Sequence, residues 1–209
     1  MTGRRAVLDA AARERVADAI GRAEATTSAE IVVVVAARAG QYRSATLLAA
    51  LLACLALPWP LIWLTRWSAG GIALAQVLVA AVVLAVGLYR PLRVVLTPPG
   101  TRRAQARDAA RRAFRSRGLS RTRGRTGVLI HLALAERHAE IVADEGVLAL
   151  VDPQGWNAAL ADLVAALARG DTEAGLVGTV ERVGRILSEK LPAGPDNPDE
   201  LPNRVVITD

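Results

Sequence analysis

Side chains able to do chemistry are sparse in this sequence of 209 residues, which has two histidines and one cysteine. His131 falls inside an apolar run, "GVLIHLAL", and His138 follows seven residues later at a hairpin. No Cys, Asp or Glu cluster at metal-ligand spacing accompanies them, so a structural or exposed role outweighs a catalytic one. No GxSxG, CxxxxxR, HExxH or P-loop pattern occurs, which removes the usual routes to covalent, zinc or nucleotide chemistry. Cys54 sits alone in an apolar stretch, permitting neither an internal disulfide nor a metal-thiolate site.

The carboxylates are the next candidates. Glu30 opens a β-branched run, "EIVVVVA", while Asp144 and Glu145 close another, "HAEIVAD", just before Gly146. If these strands are neighbours, such ends gather at one edge of a sheet, where ligands of open α/β sheets bind. Oxygen ligands converging from Glu30, Asp144 and Glu145 would suit calcium or magnesium, and the metal could in turn bind phosphate. The plainer alternative makes Asp144 and Glu145 turn residues facing water. Glu136 and Glu140 are better placed for ion pairs, with Arg137 or an arginine of the preceding helix, than for catalysis. Asp196, Asp199 and Glu200 stand in a Pro-rich tail that reads as a loop, solvated or paired with Arg204.

The strongest local signal is basic. Ten arginines fall between Arg102 and Arg125, in a chain of formal charge +6. Nucleic-acid binding would call for interleaved aromatics or a helix-turn-helix, and Phe114 is the sole aromatic of the run. Proximity to a membrane span explains the run better. Basic residues beside a span stay cytoplasmic and attract anionic lipid, at about 1 kcal/mol each near the surface. Arg90, Arg93, Arg102, Arg103 and Arg107 are the candidate membrane-surface residues.

That reading requires spans, and the sequence has them. Residues 45–65 and 67–89 contain no charged side chain, and each is long enough to cross about 30 Å of hydrocarbon as a helix. Arg66 separates them, with Trp59, Trp63 and Trp67 close by, as at a membrane interface. Pro58 and Pro60 should kink the first span, a feature tolerated where the freed backbone groups find partners. The first thirty residues are amphipathic and charged, without the apolar core of a signal peptide. Arg38 and Arg43 before the hairpin, and Arg90 and Arg93 after it, place both termini and the soluble part on the cytoplasmic side.

Outside the spans, periodicity predicts a helix from about Arg5 to Thr26, then strands at 30–36, 127–134 and 138–144. Further helices are expected at 101–117, with Ala104, Ala109, Ala113 and Phe114 available for its inner face, at 154–168 and from Asp171 to about Glu189. A short edge strand closes the chain at 205–207. One helix and one strand cannot bury their own apolar surface, so residues 1–44 should join 91–209 as one discontinuous domain. The expected fold is α/β: a three-layer sandwich with a three- to four-stranded mixed sheet between helices, interrupted by a transmembrane hairpin.

The joined sequence resembles the TPM-domain family. The resemblance rests on "TSAEIVVVV", on "AFRSRGLSRTRGRTGVLIHLALAERHAEIVADEGV" (Ala113 to Val147), on Trp156, and on the closing "KLPAGPDNPDELP". Departures are Ala29 where glycine is common, Glu145 where a basic residue is common, and Asp199 where Asn precedes Glu-Leu-Pro. The resemblance implies an α/β sandwich, often membrane-tethered, in a family whose relatives include accessory proteins, weak acid phosphatases and calcium binders. Two functions follow as expectations. The first is a non-catalytic accessory module at the cell membrane, touching anionic headgroups and a membrane-protein partner but not nucleic acid. The second is a weak metal-assisted phosphatase using the carboxylate edge, with calcium or magnesium.

Overall fold

A computed structural model describes residues 8–40, 43–88, 97–195, 197–198 and 200–208. The chain divides into two compact units, Met1–Ala39 with Ala104–Asp209, and Gly40–Arg103.

The first unit is built on four strands: β1 (Glu30–Ala36), β2 (Gly127–Ala133), β3 (His138–Ala143) and β4 (Val205–Thr208), in the order β3-β2-β1-β4. β1 runs parallel to both β2 and β4, and β2 runs antiparallel to β3, so the sheet is mixed. All seven residues of β1 are buried, the mark of a strand covered on both faces, and its unbroken Val run suits that position. Strands one residue out of phase would exchange faces, and here the alternation is clean. Ile31, Val33, Val35, Val128, Ile130 and Leu132 point to one side. Val32, Val34 and Leu129 point to the other.

Three helices supply the core on the first side: α1 (Ala10–Glu24), α7 (Asn157–Arg169) and α8 (Thr172–Lys190). Val16, Ile20, Leu163, Leu176, Val180, Val183 and Leu187 form their contribution. Asp9 caps α1 by accepting the Ala12 N–H at 2.7 Å. Gly170 ends α7 in the left-handed conformation, as a C-terminal glycine should. Asp171 precedes α8 without a side-chain capping bond, whereas Asp152 does cap, on the 3-10 turn Pro153–Trp156 that introduces α7. On the second side lies α5 (Pro99–Ser116), whose residues from Ala104 onward belong to this unit. It buries Ala106, Ala110 and Phe114 with Ala113 partly buried beside them, so Phe114 and Ala113 face inward as expected while Ala106 and Ala110 take the places of Ala104 and Ala109.

The second unit contains α2 (Arg43–Ala56), α3 (Pro58–Leu64) and α4 (Ala69–Leu88). Two stretches, Leu47–Leu64 and Ala69–Val86, are helical and apolar enough to cross a membrane. Pro58 has no N–H to return to the carbonyl of Cys54 four residues back. The Gln76 side chain of α4 donates to that carbonyl instead, at 2.9 Å. The freed backbone group is therefore satisfied from across the hairpin.

Candidate functional site

The strand ends do gather, at the end of the sheet where the parallel pair β1 and β2 begins. Glu30 stands in register with Gly127, and the Asp144 N–H donates to the Gly127 carbonyl at 2.9 Å. This is the opposite end from the carboxyl ends at which open α/β sheets hold their ligands.

Glu30 is 7% exposed, and backbone donors meet its carboxylate. Oε1 accepts from the Glu200 N–H and Oε2 from the Leu201 N–H, both at 3.2 Å. The Glu200 carboxylate in turn accepts from the Arg123 N–H at 3.2 and 3.3 Å. Asn197 donates to the carbonyls of Glu24 and Thr27 at 3.1 and 3.0 Å. Asn197, Glu200 and Leu201 thus form a clasp binding the end of α1, the start of β1 and the approach to β2. Asp196 and Asp199, the other acids of that tail, lie outside the described residues.

Asp144 caps the short helix α6 (Glu145–Leu148), its Oδ1 accepting from the Glu145 N–H at 2.9 Å. Its Oδ2 is buried without a hydrogen-bond partner, and the Arg125 Nε lies 3.6 Å away. The same guanidinium stands 3.3 Å from Glu145. Arg125 adopts a left-handed backbone, φ 51°, and Gly146 is packed so tightly on Gly124 and Arg125 that a Cβ there would collide with their carbonyl oxygens. A dication between Asp144 and Glu145 would have to displace Arg125. Among the described residues no group of three His, Cys, Asp or Glu side chains comes close enough to hold a metal ion.

The histidines lie on the α5 side of the sheet. His131 is 3% exposed, faces Glu140 across the ladder, and has an Nδ1 without a hydrogen-bond partner. Burial foremost pushes its pKa down to about 4; His138 and Arg112 push the same way, while Glu136 and Glu140 oppose them. The ring is therefore neutral at physiological pH. Glu140 is bound by His138, Nε2–Oε2 3.0 Å, and lies 3.5 Å from the Arg107 Nε. Burial works to raise its pKa, but His138 and Arg107 outweigh that and hold it below the ordinary carboxylate value.

Of the basic residues assigned to a membrane surface, Arg90 and Arg93 lie outside the described residues. Arg103 is exposed and Arg102 half-buried in the first turns of α5, while Arg107 is engaged with Glu140.

Residues 91–186 match the family model of the TPM domain. The TPM match takes in α5, β2, β3, α6, α7 and most of α8, with Arg125, Asp144 and Glu145. It omits Glu30 and the Glu200 clasp. The NMR structure of BA42 protein from the psychrophilic bacterium Bizionia argentinensis sp. nov. is similar in fold, with a TM-score of 0.62 and 20% identity over 99% of each chain. No curated protein matches.

Sequence reasoning missed the partners at this edge. Arg125 stands within the stretch that resembles the family, but its spacing does not point to Asp144 and Glu145, and its left-handed backbone would have been sought at a glycine. The clasp had one signal, an acid at the head of a fully buried strand, which requires donors from somewhere.

Proposed function

We propose that the chain is a membrane-anchored TPM-domain protein, a non-catalytic accessory module held at the cytoplasmic face of the cell membrane by the α2–α4 hairpin. One observation carries the anchoring. Of the two apolar stretches, 6% of Leu47–Leu64 and none of Ala69–Val86 is buried by protein. Leu51, Leu55, Val77, Leu78 and Val82 are all more than half exposed, a surface water would not tolerate and lipid would cover. The distribution of charge supports the orientation, since Arg66 is the one charged residue between the spans.

The accessory role is supported by the state of the carboxylates. Glu30 is committed to the clasp and Asp144 to a cap and an arginine, which leaves no free pair among them to position water or metal. Reporter fusions at Ala37, Gly70 and Asp209 test the anchoring: we expect cytoplasmic signals at the first and last and an exported signal at Gly70. A cytoplasmic Gly70 with an exported Asp209 overturns it. Hydrolysis of an aryl phosphate that requires added calcium or magnesium and vanishes in Asp144→Ala would replace the accessory reading with the phosphatase.

A further inference from the structure

Along the α5 side of β3 the residues His138, Glu140 and Val142 alternate toward Asp144 at the strand's end. Glu140 engages Arg107, and Asp144 engages Arg125. Between those two ion pairs the strand presents Val142, which has no charge to offer. Opposite it α5 brings three more arginines, Arg111, Arg112 and Arg115, spaced to share one side of the helix over successive turns. Together with Asp108, Phe114 and Val142 they line a cleft of about 430 Å³. All three are exposed, and among the described residues none has a hydrogen bond or an ion pair. Asp108 is the only carboxylate in the lining, and it lies beyond ion-pair distance of each of them.

Three guanidinium groups lining one cleft repel one another, and an anion bound among them removes that repulsion. Their planar forks match phosphate oxygens bidentately. Phe114 is 7% exposed and forms floor, not a stacking platform, so nucleobases have nothing to lie on. We propose that the cleft between α5 and β3 binds a phosphate monoester, seated by Arg111, Arg112 and Arg115. The chemistry stands on the cleft itself. Only the source of the phosphate, a lipid headgroup or a soluble ester, rests on the membrane reading above.

The test uses the full chain in zwitterionic detergent, titrated calorimetrically with glycerol 3-phosphate and, separately, with dioctanoyl phosphatidic acid. Dioctanoyl phosphatidylcholine serves as the lipid control. We expect binding of at least one phosphate monoester, weakened about tenfold or more in Arg111→Gln/Arg115→Gln. Arg121→Gln, an exposed arginine outside the cleft, should stay within about twofold. Asp108→Asn should tighten binding, because it removes the one negative charge of the lining, and this holds as a test even if the double variant misfolds. Preference for phosphatidic acid places the ligand in the bilayer. Binding of the soluble ester alone sustains the cleft and counts against a lipid source. No binding of either monoester, or equal binding by wild type and double variant with unchanged thermal melts, overturns the proposal.

Discussion

A carboxylate buried at the head of a central strand is costly unless donors face it, and Glu30 faces the N–H groups of Glu200 and Leu201. Removing it leaves both donors short of their acceptor and loosens the clasp. Glu30→Ala should therefore cost about 2–4 kcal/mol, since hydrogen bonds to charged groups contribute roughly 1.5–3 kcal/mol. A denaturant titration of the full chain in detergent measures it, and a loss below about 0.5 kcal/mol would show the clasp to be decorative. His131 gives a pH signature. Its pKa is about 4 in the folded protein against an ordinary 6.5 for the unfolded chain, which therefore binds the proton first as pH falls. Stability should decline from about pH 6.5 toward 4, by roughly 3 kcal/mol in all. Glu136, His138, Glu140 and Arg112 surround the ring electrostatically, and Glu140, whose own pKa is depressed, adds a loss that sets in lower. His131→Leu should flatten the decline between pH 6.5 and 4 while leaving the lower one; identical profiles would refute the assignment. At this scale the sequence marks the unusual residues but not their partners. An acid before "IVVVV" is conspicuous, whereas the N–H groups that satisfy it come from 170 positions away.

The elements themselves were far more legible. β1 is found at the residues its β-branched run marks out, and the hairpin of β2 and β3 is found to within a residue, because buried strands announce themselves by composition. α5 was harder. Alanines occur all around it, with arginines between, so its apolar contrast is too weak to fix which face turns inward, and Ala106 and Ala110 are buried instead of Ala104 and Ala109. The α2–α4 hairpin adds a polar latch that periodicity cannot show, Gln76 donating to the carbonyl that Pro58 leaves unpaired. Gln76→Leu should loosen the hairpin by about 0.5–2 kcal/mol, the span of polar contacts between helices in apolar surroundings. A lower melting temperature in detergent, restored when Pro58→Ala supplies a backbone N–H to the Cys54 carbonyl, is the expected result. An unchanged melt for Gln76→Leu would remove the latch from the account.

At the scale of the molecule, β1 lies between two strands that both come later in sequence. Residues 1–39 joined by a flexible linker to 104–209 should give a soluble protein that unfolds cooperatively, since these residues form one compact unit. Residues 104–209 alone should aggregate, because β2 and β4 would each present a bare edge. A sharp melt from the fragment alone would contradict this dependence. The same strand order sets a timetable. β1 leaves the ribosome before the hairpin is made, and Gly127 follows Ala36 by about ninety residues. At about 5–20 residues per second the strand waits roughly 5–20 seconds for its first partner. Through that interval "IVVVVA" is a naked, uncharged β-segment while the apolar helices behind it are still being synthesised. Completion of the sheet is thus a late event in biogenesis, and a nascent-chain chaperone that shelters extended apolar segments would act on β1 before any other part of the fold.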